Sequence, residues 1–392
     1  MPTISSQPST TVLHSAYANT MTYSVYQAFT GGDPYPAIEA RIIINSTLFS
    51  TQYYQPTSIV GTTAYFTIGI NGIVQEWFES LNASPGSFET ALNSQLTDAL
   101  ASVRVDFYTW SAVGGLLEQV GSPANSSTSR AINSAQIRIP EFYTASDRSF
   151  LTNKPDNVIL KTNEGEVIAI YTSVNSEIVV KCYNANGLQA ERRQTFPGSS
   201  HRIIIFGIGV PNLLALTSSP GWDNEVYVAG GDIFDGGSST YYTIQVKAVG
   251  GANISELRTY YIDTSEDCFA YRIHFLNKLG CYDSVSLYQS VLNVFDTEST
   301  TFERNATELA SNLANRLYSK LTNGFTAHFL GMTDDEATWL KELANTVDAY
   351  ESDIQNHLIV EDMSGTEKDT YAVMNDIAIN FFYSTREFSQ RN

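Results

Sequence analysis

Short runs in which apolar and polar residues alternate cover most of this chain, and turns rich in Gly, Pro, Asn and Asp separate them. A period of two is typical of β-strands with one buried face. Residues 38–44, 63–68 and 102–110 are the clearest runs in the first part of the chain. Residues 70–78 differ, because their apolar side chains recur at helical spacing, and they predict a short helix.

A β-hairpin is predicted over residues 269–288. Residues 269–275 and 283–288 alternate, and the turn between them contains Asn and Gly, two residue types that tight turns favour. Large apolar side chains occupy the odd-numbered positions of the first strand. We therefore expect that face to be buried, with these side chains in the core: Tyr271, Ile273 and Phe275.

A helix is predicted over residues 306–322. Asn305 and Glu308 form a capping-box pattern ahead of it, and leucines then recur every four residues. Asn323 and Gly324 are expected to end the helix. Its leucine stripe is expected to contact another element or another subunit through Leu309, Leu313 and Leu317.

A second helix is predicted after a second capping box, which runs from Thr333 to Glu336. Its apolar face carries Trp339, Leu340 and Leu343. Residues 358–362 and 377–383 then predict two strands, so this last region is α+β.

The order of these elements predicts a mainly β protein: tandem immunoglobulin-like or jelly-roll β-sandwich domains followed by a C-terminal α+β domain. We expect a polar N-terminal arm over residues 1–18, ordered only against a partner, and a β-sandwich with a helical insertion over 19–150, which includes a strand near 136–139. A second sandwich spans 151–292 and ends in the 269–288 hairpin, and the α+β domain spans 293–392. In the second sandwich, strands 167–171 and 178–183 flank a turn, and a long Gly- and Asp-rich loop at 221–237 is expected to expose Trp222.

The net charge of the chain limits the kinds of molecule that it is expected to bind. The 392 residues include 22 Lys and Arg against 41 Asp and Glu, a net charge of −19. Nucleic-acid grooves and anionic membrane surfaces select basic proteins, so neither is expected to bind this chain. The N-terminus has no signal-peptide pattern, and no stretch approaches the length of a transmembrane helix.

Three cysteines are scattered along the chain, at positions 182, 268 and 281. They form no metal-binding spacing and indicate reduced thiols, with a disulfide between Cys268 and Cys281 left open.

The sequence contains none of the motifs of zinc proteases, serine hydrolases or P-loop nucleotidases. We predict no catalytic residue, no cofactor and no metal. Asp263, Glu266 and Asp267 offer the oxygen ligands that Ca²⁺ takes, as does the 232–237 loop, but a solvated acidic turn is the preferred interpretation. His274, on the opposite face of its strand from the apolar residues, is expected to be a hydrogen-bonded structural residue.

The hairpin resembles a signature of virion proteins from tailed bacteriophages and prophages of Bacteroidota. In that signature a strand ending in F-[LI]-N precedes a turn of the type x-x-G-x-x-D and a second strand. Phe275, Asn277, Gly280 and Asp283 stand at these positions here. Cys281 departs from the small residue that usually follows the glycine.

The C-terminal part of the chain is similar to the same group. A helix of the type E-x-x-W-L-x-E-L matches residues 336–343, a strand with apolar and acidic residues matches 358–362, and the chain ends in Arg386, Gln390, Arg391 and Asn392. The resemblance covers roughly the last third of the chain. The helix predicted over residues 306–322 is not part of the pattern.

The resemblance implies a structural protein of the virion, in the distal tail, baseplate or collar, assembled in the cytoplasm of the bacterial host. Its partners would be copies of itself in a ring-type homo-oligomer and other tail proteins. DNA would pass through the ring without binding, since an acidic lining repels the duplex. The candidate structural or interface residues are Phe275, Asn277, Gly280, Asp283, Trp222, Trp339, Leu309, Leu313 and Leu317.

The alternative function is a glycan-binding or host-receptor-binding β-sandwich protein of the virion or of a bacterial surface. Exposed aromatic residues near Trp222 would favour it, because tryptophan and tyrosine anchor many binding surfaces. A third interpretation, a glycoside hydrolase, needs two carboxylates facing each other across a cleft. The position of the protein in the particle stays open.

Overall fold

The computed structural model of the chain describes residues 2–10, 13–16, 21–29, 36–80, 93–96, 100–113, 116–133, 150–172, 174–196, 201–215, 222–227, 239–265, 271–287, 291–303, 314–346, 348–351, 356–366, 375–384 and 387–389. Within them the chain is mainly β, as predicted, with 27 strands and three helices. The strands form five sheets whose apolar faces meet in shared cores.

The first region is a β-sandwich. Its elements in chain order are β1 (Thr3–Ser6), β2 (Leu13–Ser15), β3 (Thr22–Ala28), β4 (Ala37–Ile44), β5 (Thr47–Tyr54), β6 (Ser58–Val60), β7 (Thr63–Gly69), α1 (Asn71–Ser80), β8 (Asn93–Leu96), β9 (Leu100–Val113), β10 (Leu116–Asn125) and β11 (Ser129–Ile132). One sheet has the order β1-β3-β7-β6; the other has the order β2-β11-β9-β4-β5, with β10 also paired to β9. Strands β4, β7 and β9 and helix α1 confirm the predicted elements, and their apolar sides share one core.

The prediction of an N-terminal arm is wrong, because this segment forms strands within the first region. Strand β1 pairs with β3, and β2 pairs in parallel with β11. Leu13 and Ala16 are buried. A polar segment can join a sheet because the pairing groups are backbone amides and carbonyls, which every residue except proline supplies in full. The strand predicted near residues 136–139 lies outside the described residues.

The second region contains two further sheets. Its elements are β12 (Val158–Lys161), β13 (Val167–Thr172), β14 (Ser176–Asn184), β15 (Gly187–Phe196), β16 (Arg202–Gly207), α2 (Val210–Ala215), β17 (Trp222–Tyr227), β18 (Tyr241–Ala248) and β19 (Arg258–Asp263). One sheet has the order β12-β19-β18-β14-β15-β17, and the other has the order β13-β16-β8. Strand β8 therefore links the first region to the second.

Strands β13 and β14 confirm the two strands predicted there, and they belong to different sheets. Strand β13 is apolar at nearly every position and is buried on both faces. One expectation for this region needs correction. Residues 222–227, predicted as part of a loop, form β17, which pairs with β15. The backbone hydrogen bonds to β15 stabilise a strand here even though turn-forming residues surround it. The rest of the predicted loop lies outside the described residues.

The third region is one large sheet covered by a helix. Its elements are β20 (Tyr271–Leu276), β21 (Tyr282–Leu287), β22 (Val291–Glu303), β23 (Ala314–Met332), α3 (Asp334–Ala344), β24 (Ala349–Glu351), β25 (Asn356–Thr366), β26 (Asn375–Tyr383) and β27 (Glu387–Ser389). The strand order is β21-β20-β24-β25-β26-β23-β22, and β27 also pairs with β23. Strands β25 and β26 confirm the two strands predicted there.

Helix α3 confirms the second predicted helix. Thr333 is its N-cap, and the capping box between Thr333 and Glu336 is complete. The predicted apolar face is buried and packs into the core of the third region: Trp339, Leu340 and Leu343.

The hairpin does not complete the second sandwich as predicted. Strand β20 pairs with β24 of the C-terminal segment, so the strands on both sides of the boundary predicted at residue 293 belong to one sheet. The hairpin strands themselves are as predicted, with Ile273 and Phe275 fully buried. The side chain of Tyr271 is not among those that the structure describes.

The prediction of a helix over residues 306–322 is wrong in the part of that range that the structure describes. Residues 314–332 form β23, paired with β22 on one side and with β26 on the other. A leucine every four residues also falls on one face of a strand, because four is a multiple of the strand period of two. Gly324, expected to end the helix, is a close-approach residue in the strand, where a Cβ would lie 2.2 Å from the carbonyl oxygen of Phe381.

A fourth apolar core lies where the three regions meet. The first region contributes Leu13, Leu100 and Ile132. Every second side chain of β13 and of β16 lies at the centre of this core. The turn of the hairpin supplies Leu279 and Cys281. The hairpin is therefore the element of the third region that reaches into the other two.

Candidate functional site

The contact region around the hairpin is the candidate functional site, and we call it the hairpin junction. It comprises residues 150–157, 164–166, 272–286 and 339–342. These segments come from different elements, so the junction exists only in the folded chain.

Asn277 shapes the turn of the hairpin. Its side-chain oxygen accepts hydrogen bonds from the backbone N–H groups of Leu279 (2.9 Å) and Cys281 (3.2 Å). Its side-chain amide donates to the carbonyl of Leu151 at 2.9 Å. The same residue thus closes the turn and attaches it to the start of the second region.

Gly280 places the turn against the first region. Its φ of +82° lies in the left-handed region that favours glycine. A Cβ at this position would lie 2.3 Å from the carbonyl oxygen of Asn133. Both the backbone conformation and the available space therefore require glycine.

Asp283 and Trp339 connect the hairpin to helix α3. The indole Nε1 of Trp339 donates to Oδ2 of Asp283 at 2.8 Å, and the ring of Trp339 lies 5.7 Å from that of Phe275. Burial raises the pKa of Asp283 to about 6, although hydrogen bonds from Thr152 and Trp339 lower it. The carboxyl group is thus held at the centre of the contact between hairpin and helix.

A buried ionic network lies beside this contact. Glu166 accepts from Lys154 Nζ at 2.6 Å and from Arg272 Nη2 at 2.9 Å, and Arg272 also pairs with Glu164 at 3.4 Å. The Arg272, Glu164 and Glu166 side chains are at most 5% exposed. Buried charges are stable only when they are paired and hydrogen-bonded. The charged side chains of these four residues therefore stabilise one another.

Each of the two cations also donates a hydrogen bond to the second strand of the hairpin. Lys154 donates to the carbonyl of Ser284 at 2.8 Å, and Arg272 donates to the hydroxyl of Ser286 at 2.7 Å. Arg258 fixes the segment that carries Lys154 by donating to the carbonyls of Lys154 and Pro155. The network therefore holds the second region against the hairpin.

His274 is a structural residue at the junction. Its Nδ1 lies 2.6 Å from the hydroxyl of Ser284. Burial, together with the positive charges of Arg272 and Lys154, holds its pKa well below the usual value. The imidazole is therefore neutral at physiological pH.

Glu342 makes a further connection from helix α3. One of its carboxylate oxygens accepts from the side-chain amide of Asn153 at 2.7 Å, and the other accepts from the backbone N–H of Lys278 at 3.1 Å. One acidic side chain thus joins the helix, the second region and the turn.

A cavity of about 260 Å³ adjoins the network. Its wall combines the two cations with apolar side chains from three elements: Lys154, Arg272, Val158, Phe329, Met332 and Trp339. Both cations already form ion pairs inside the protein. The chemistry of this arrangement is thus better suited to holding the regions together than to binding an anion.

The structure brings five of the predicted structural residues together: Phe275, Asn277, Gly280, Asp283 and Trp339. Trp222 lies far from them in sequence, in β17, and its side chain is not among those described. Leu317 lies in β23 rather than in a helix. Leu309 and Leu313 lie outside the described residues.

Sequence reasoning missed the ionic network. Arg272 and His274 alternate with apolar residues, a pattern that predicts exposed side chains, yet both are buried. One signal was present: Glu164 and Glu166 directly precede the apolar run at residues 167–171. A strand that is apolar throughout is buried on both faces, so the charges next to it in the sequence lie inside the protein as well.

The described residues contain no group of three or more His, Cys, Asp or Glu arranged to hold a metal ion. In the acidic turn, Asp263 forms an ion pair with Lys161 at 2.6 Å, while Glu266, Asp267 and the 232–237 loop lie outside the described residues. Cys182 and Cys281 are buried free thiols, and Cys268 lies outside the described residues. Among the described helices, none has the length and apolar character needed to cross a bilayer.

No protein-family model and no curated protein sequence matches this chain significantly.

Proposed function

We propose that this chain is a structural subunit of a bacteriophage virion, placed in the distal tail, baseplate or collar, where it assembles with copies of itself and with neighbouring tail proteins. The observation that carries the proposal is the convergence of the signature residues at the hairpin junction. Phe275 and Asp283 contact helix α3, Asn277 binds the second region, and Gly280 lies against the first.

This convergence suits a subunit that transmits force. Together the signature residues fix the hairpin to helix α3, to the second region and to the first, and the buried ions add contacts whose separation would expose unpaired charge. A subunit built in this way keeps the relative positions of its sheets under load. Tail and baseplate components need that property, because neighbouring subunits bind to surfaces on different regions.

Native mass spectrometry and sedimentation of the full chain test the proposal. We expect one defined closed oligomer at micromolar concentration, with ring-shaped particles in electron micrographs. A chain that stays monomeric at high concentration, alone and with tail proteins from the same phage, would contradict the proposal.

A second candidate function, glycan binding, is favoured by an aromatic cluster on the outer face of the first region. Tyr53 is 63% exposed, and its ring lies 5.9 Å from that of Trp110. Glu39 accepts hydrogen bonds from Arg41 and Trp110, and Arg41 lies 4.0 Å above the ring of Tyr108. Exposed aromatic rings next to polar groups are the surface that sugar rings stack on.

Affinity electrophoresis in gels that contain bacterial polysaccharide tests this second candidate. Tyr53→Ala should abolish retardation of the chain, whereas Tyr26→Ala, at an exposed tyrosine of the opposite sheet, should leave it unchanged. Equal migration of the wild type with and without polysaccharide would exclude glycan binding for the polysaccharides used.

A further inference from the structure

Residues 42–75 contain no Asp, Glu, Lys, Arg or His. Elsewhere charge is frequent, since 16% of all residues are charged and the net charge is −19. The first 75 residues include only three charged side chains, Asp33, Glu39 and Arg41. The acidity of the chain is therefore carried almost entirely by the regions that follow.

The uncharged segment forms one lateral side of the first sandwich. Strand β5 is the edge of one of its sheets and β6 is the edge of the other, among the strands that the structure describes. Only residues 55–57 connect the two strands, so the two edges are neighbours in space. Both edges expose large apolar side chains: Leu48 is 55%, Tyr53 63%, Ile59 52% and Val60 66% exposed.

Strand β5 lacks the charges that usually protect a sheet edge. Natural proteins block exposed edges with charged residues, prolines, short strands or bulges, because the outward N–H and C=O groups pair readily with another strand. Strand β5 is eight residues long and has neither a charge nor a proline. Its pairing with β4 shifts by one residue near Phe49, which leaves residues 50–54 as a regular edge.

The side chains of β5 separate into two sets. Phe49 and Tyr54 pack against the core of the first region. Leu48, Thr51 and Tyr53 are paired with Ile43, Arg41 and Glu39, which lie on the opposite face of β4 from its core residues. The strand is thus anchored on one face, and its edge and outer face are left to solvent.

We propose that the β5 edge is a homotypic docking site, at which β5 of a second copy pairs in the antiparallel direction across a two-fold axis. Charge favours a second copy as the occupant. Two chains of net charge −19 repel each other at most surfaces, and this uncharged side is where they approach with least repulsion. No register of antiparallel self-pairing along β5 places like charges opposite one another.

The inference goes beyond the ring proposed above. A ring needs a head-to-tail contact, whereas a two-fold contact joins copies in pairs and makes the copy number even. The two contacts therefore succeed or fail independently. A dimer without a ring would support this inference alone, and a ring with an odd copy number would support only the proposed function.

Sedimentation velocity of the full chain over a range of concentrations tests the docking site. Thr51→Lys places two like charges close to the two-fold axis, and we expect it to weaken dimerisation at least tenfold. The matched control is Thr67→Lys, at an exposed threonine in the central strand β7 of the other sheet, which should leave the dissociation constant within twofold. Gln52→Lys is the second edge variant, used if Thr51→Lys does not fold by circular dichroism.

Hydrogen exchange provides an independent measurement on the wild type. Raising the concentration through the dissociation constant should slow exchange at the outward amides of residues 50–54, because they become hydrogen-bonded to the second copy. A monomer at all concentrations, a dimer that the folded edge variant leaves intact, or slowed exchange confined to other strands would overturn the proposal.

Discussion

Trp339 donates its indole N–H to the carboxylate of Asp283 across 2.8 Å, and both side chains are almost completely buried. This hydrogen bond joins the second strand of the hairpin to the only helix in the described part of the third region. It also places an acid whose pKa is raised to about 6 inside the protein.

The raised pKa of Asp283 predicts a dependence of stability on pH. In the unfolded chain an aspartate titrates near pH 3.9, so the folded state holds its proton more tightly than the unfolded state. The stability that this proton contributes is present below about pH 4 and is lost as the pH rises through about 6. Asp283→Asn does not titrate, so its unfolding free energy relative to the wild type should rise by about 2 kcal/mol between pH 4.5 and 7.

Urea unfolding of both proteins at four pH values between 4.5 and 7 measures this difference. The control is Asp263→Asn, because a hydrogen bond from Lys161 lowers the pKa of Asp263 to about 2, below the pH range used. A difference between Asp283→Asn and the wild type that stays constant with pH would show that Asp283 is not the titrating group.

Gly280→Ala should destabilise the protein more than an ordinary glycine replacement. A positive φ alone costs an L-residue roughly 1–2 kcal/mol. At Gly280 the added methyl group also meets the carbonyl of Asn133, whereas at Gly331, with a similar φ of +72°, the methyl group would enter open space. Thermal unfolding should therefore rank the wild type first, Gly331→Ala second and Gly280→Ala last; equal melting temperatures for the two variants would contradict the contact.

Arg272→Gln should be strongly destabilising, because it leaves Glu164 and Glu166 buried with less positive charge. Breaking a buried ion pair by removing one partner typically costs about 3–5 kcal/mol. The pair between Arg104 and Asp106 provides the control, since the Arg104 side chain is 45% exposed and water can reach it, although that of Asp106 is only 10% exposed. Arg104→Gln should therefore cost less than Arg272→Gln, and a similar loss in both variants by chemical unfolding would show that burial of the cation does not make the network more sensitive to a missing charge.

Phe275→Ala should cost about 3–5 kcal/mol, as expected for a fully buried aromatic side chain. Its ring packs against Trp339 in the core of the third region. Leu330→Ala, at a 55% exposed position of the same region, is the control and should change stability by less than about 0.5 kcal/mol. Near-equal unfolding free energies for the two variants would contradict the burial of Phe275.

An assembled ring is expected to have an acidic inner surface. Lys and Arg in a channel would hold DNA phosphates and slow the passage of the duplex, whereas Asp and Glu repel them. The net charge of −19, repeated in every copy, supplies such a lining. Electron cryo-microscopy of the assembly measures it directly, and a neutral or basic channel would contradict the expected role of the charge.

The sequence alone determined the local elements whose signals are short-range. Alternation predicted β4, β7, β9, β20 and β26, because one buried face requires a period of two. The capping box at Thr333 and Glu336 predicted the start of α3, because the orphan N–H groups of a helix are satisfied by residues next to them in the chain. The signature residues of the hairpin were also identified from the sequence.

Only the tertiary structure decided which elements pair and which charges are buried. A spacing of four fits both a helix and a strand, and pairing with β22 and β26 made residues 314–332 a strand. Arg272 has the pattern of an exposed residue, but Glu166 lies more than a hundred positions earlier in the chain and neutralises it inside the junction. Such contacts join residues that are far apart in sequence, so their energies depend on the arrangement of the whole chain and leave little trace in any short segment.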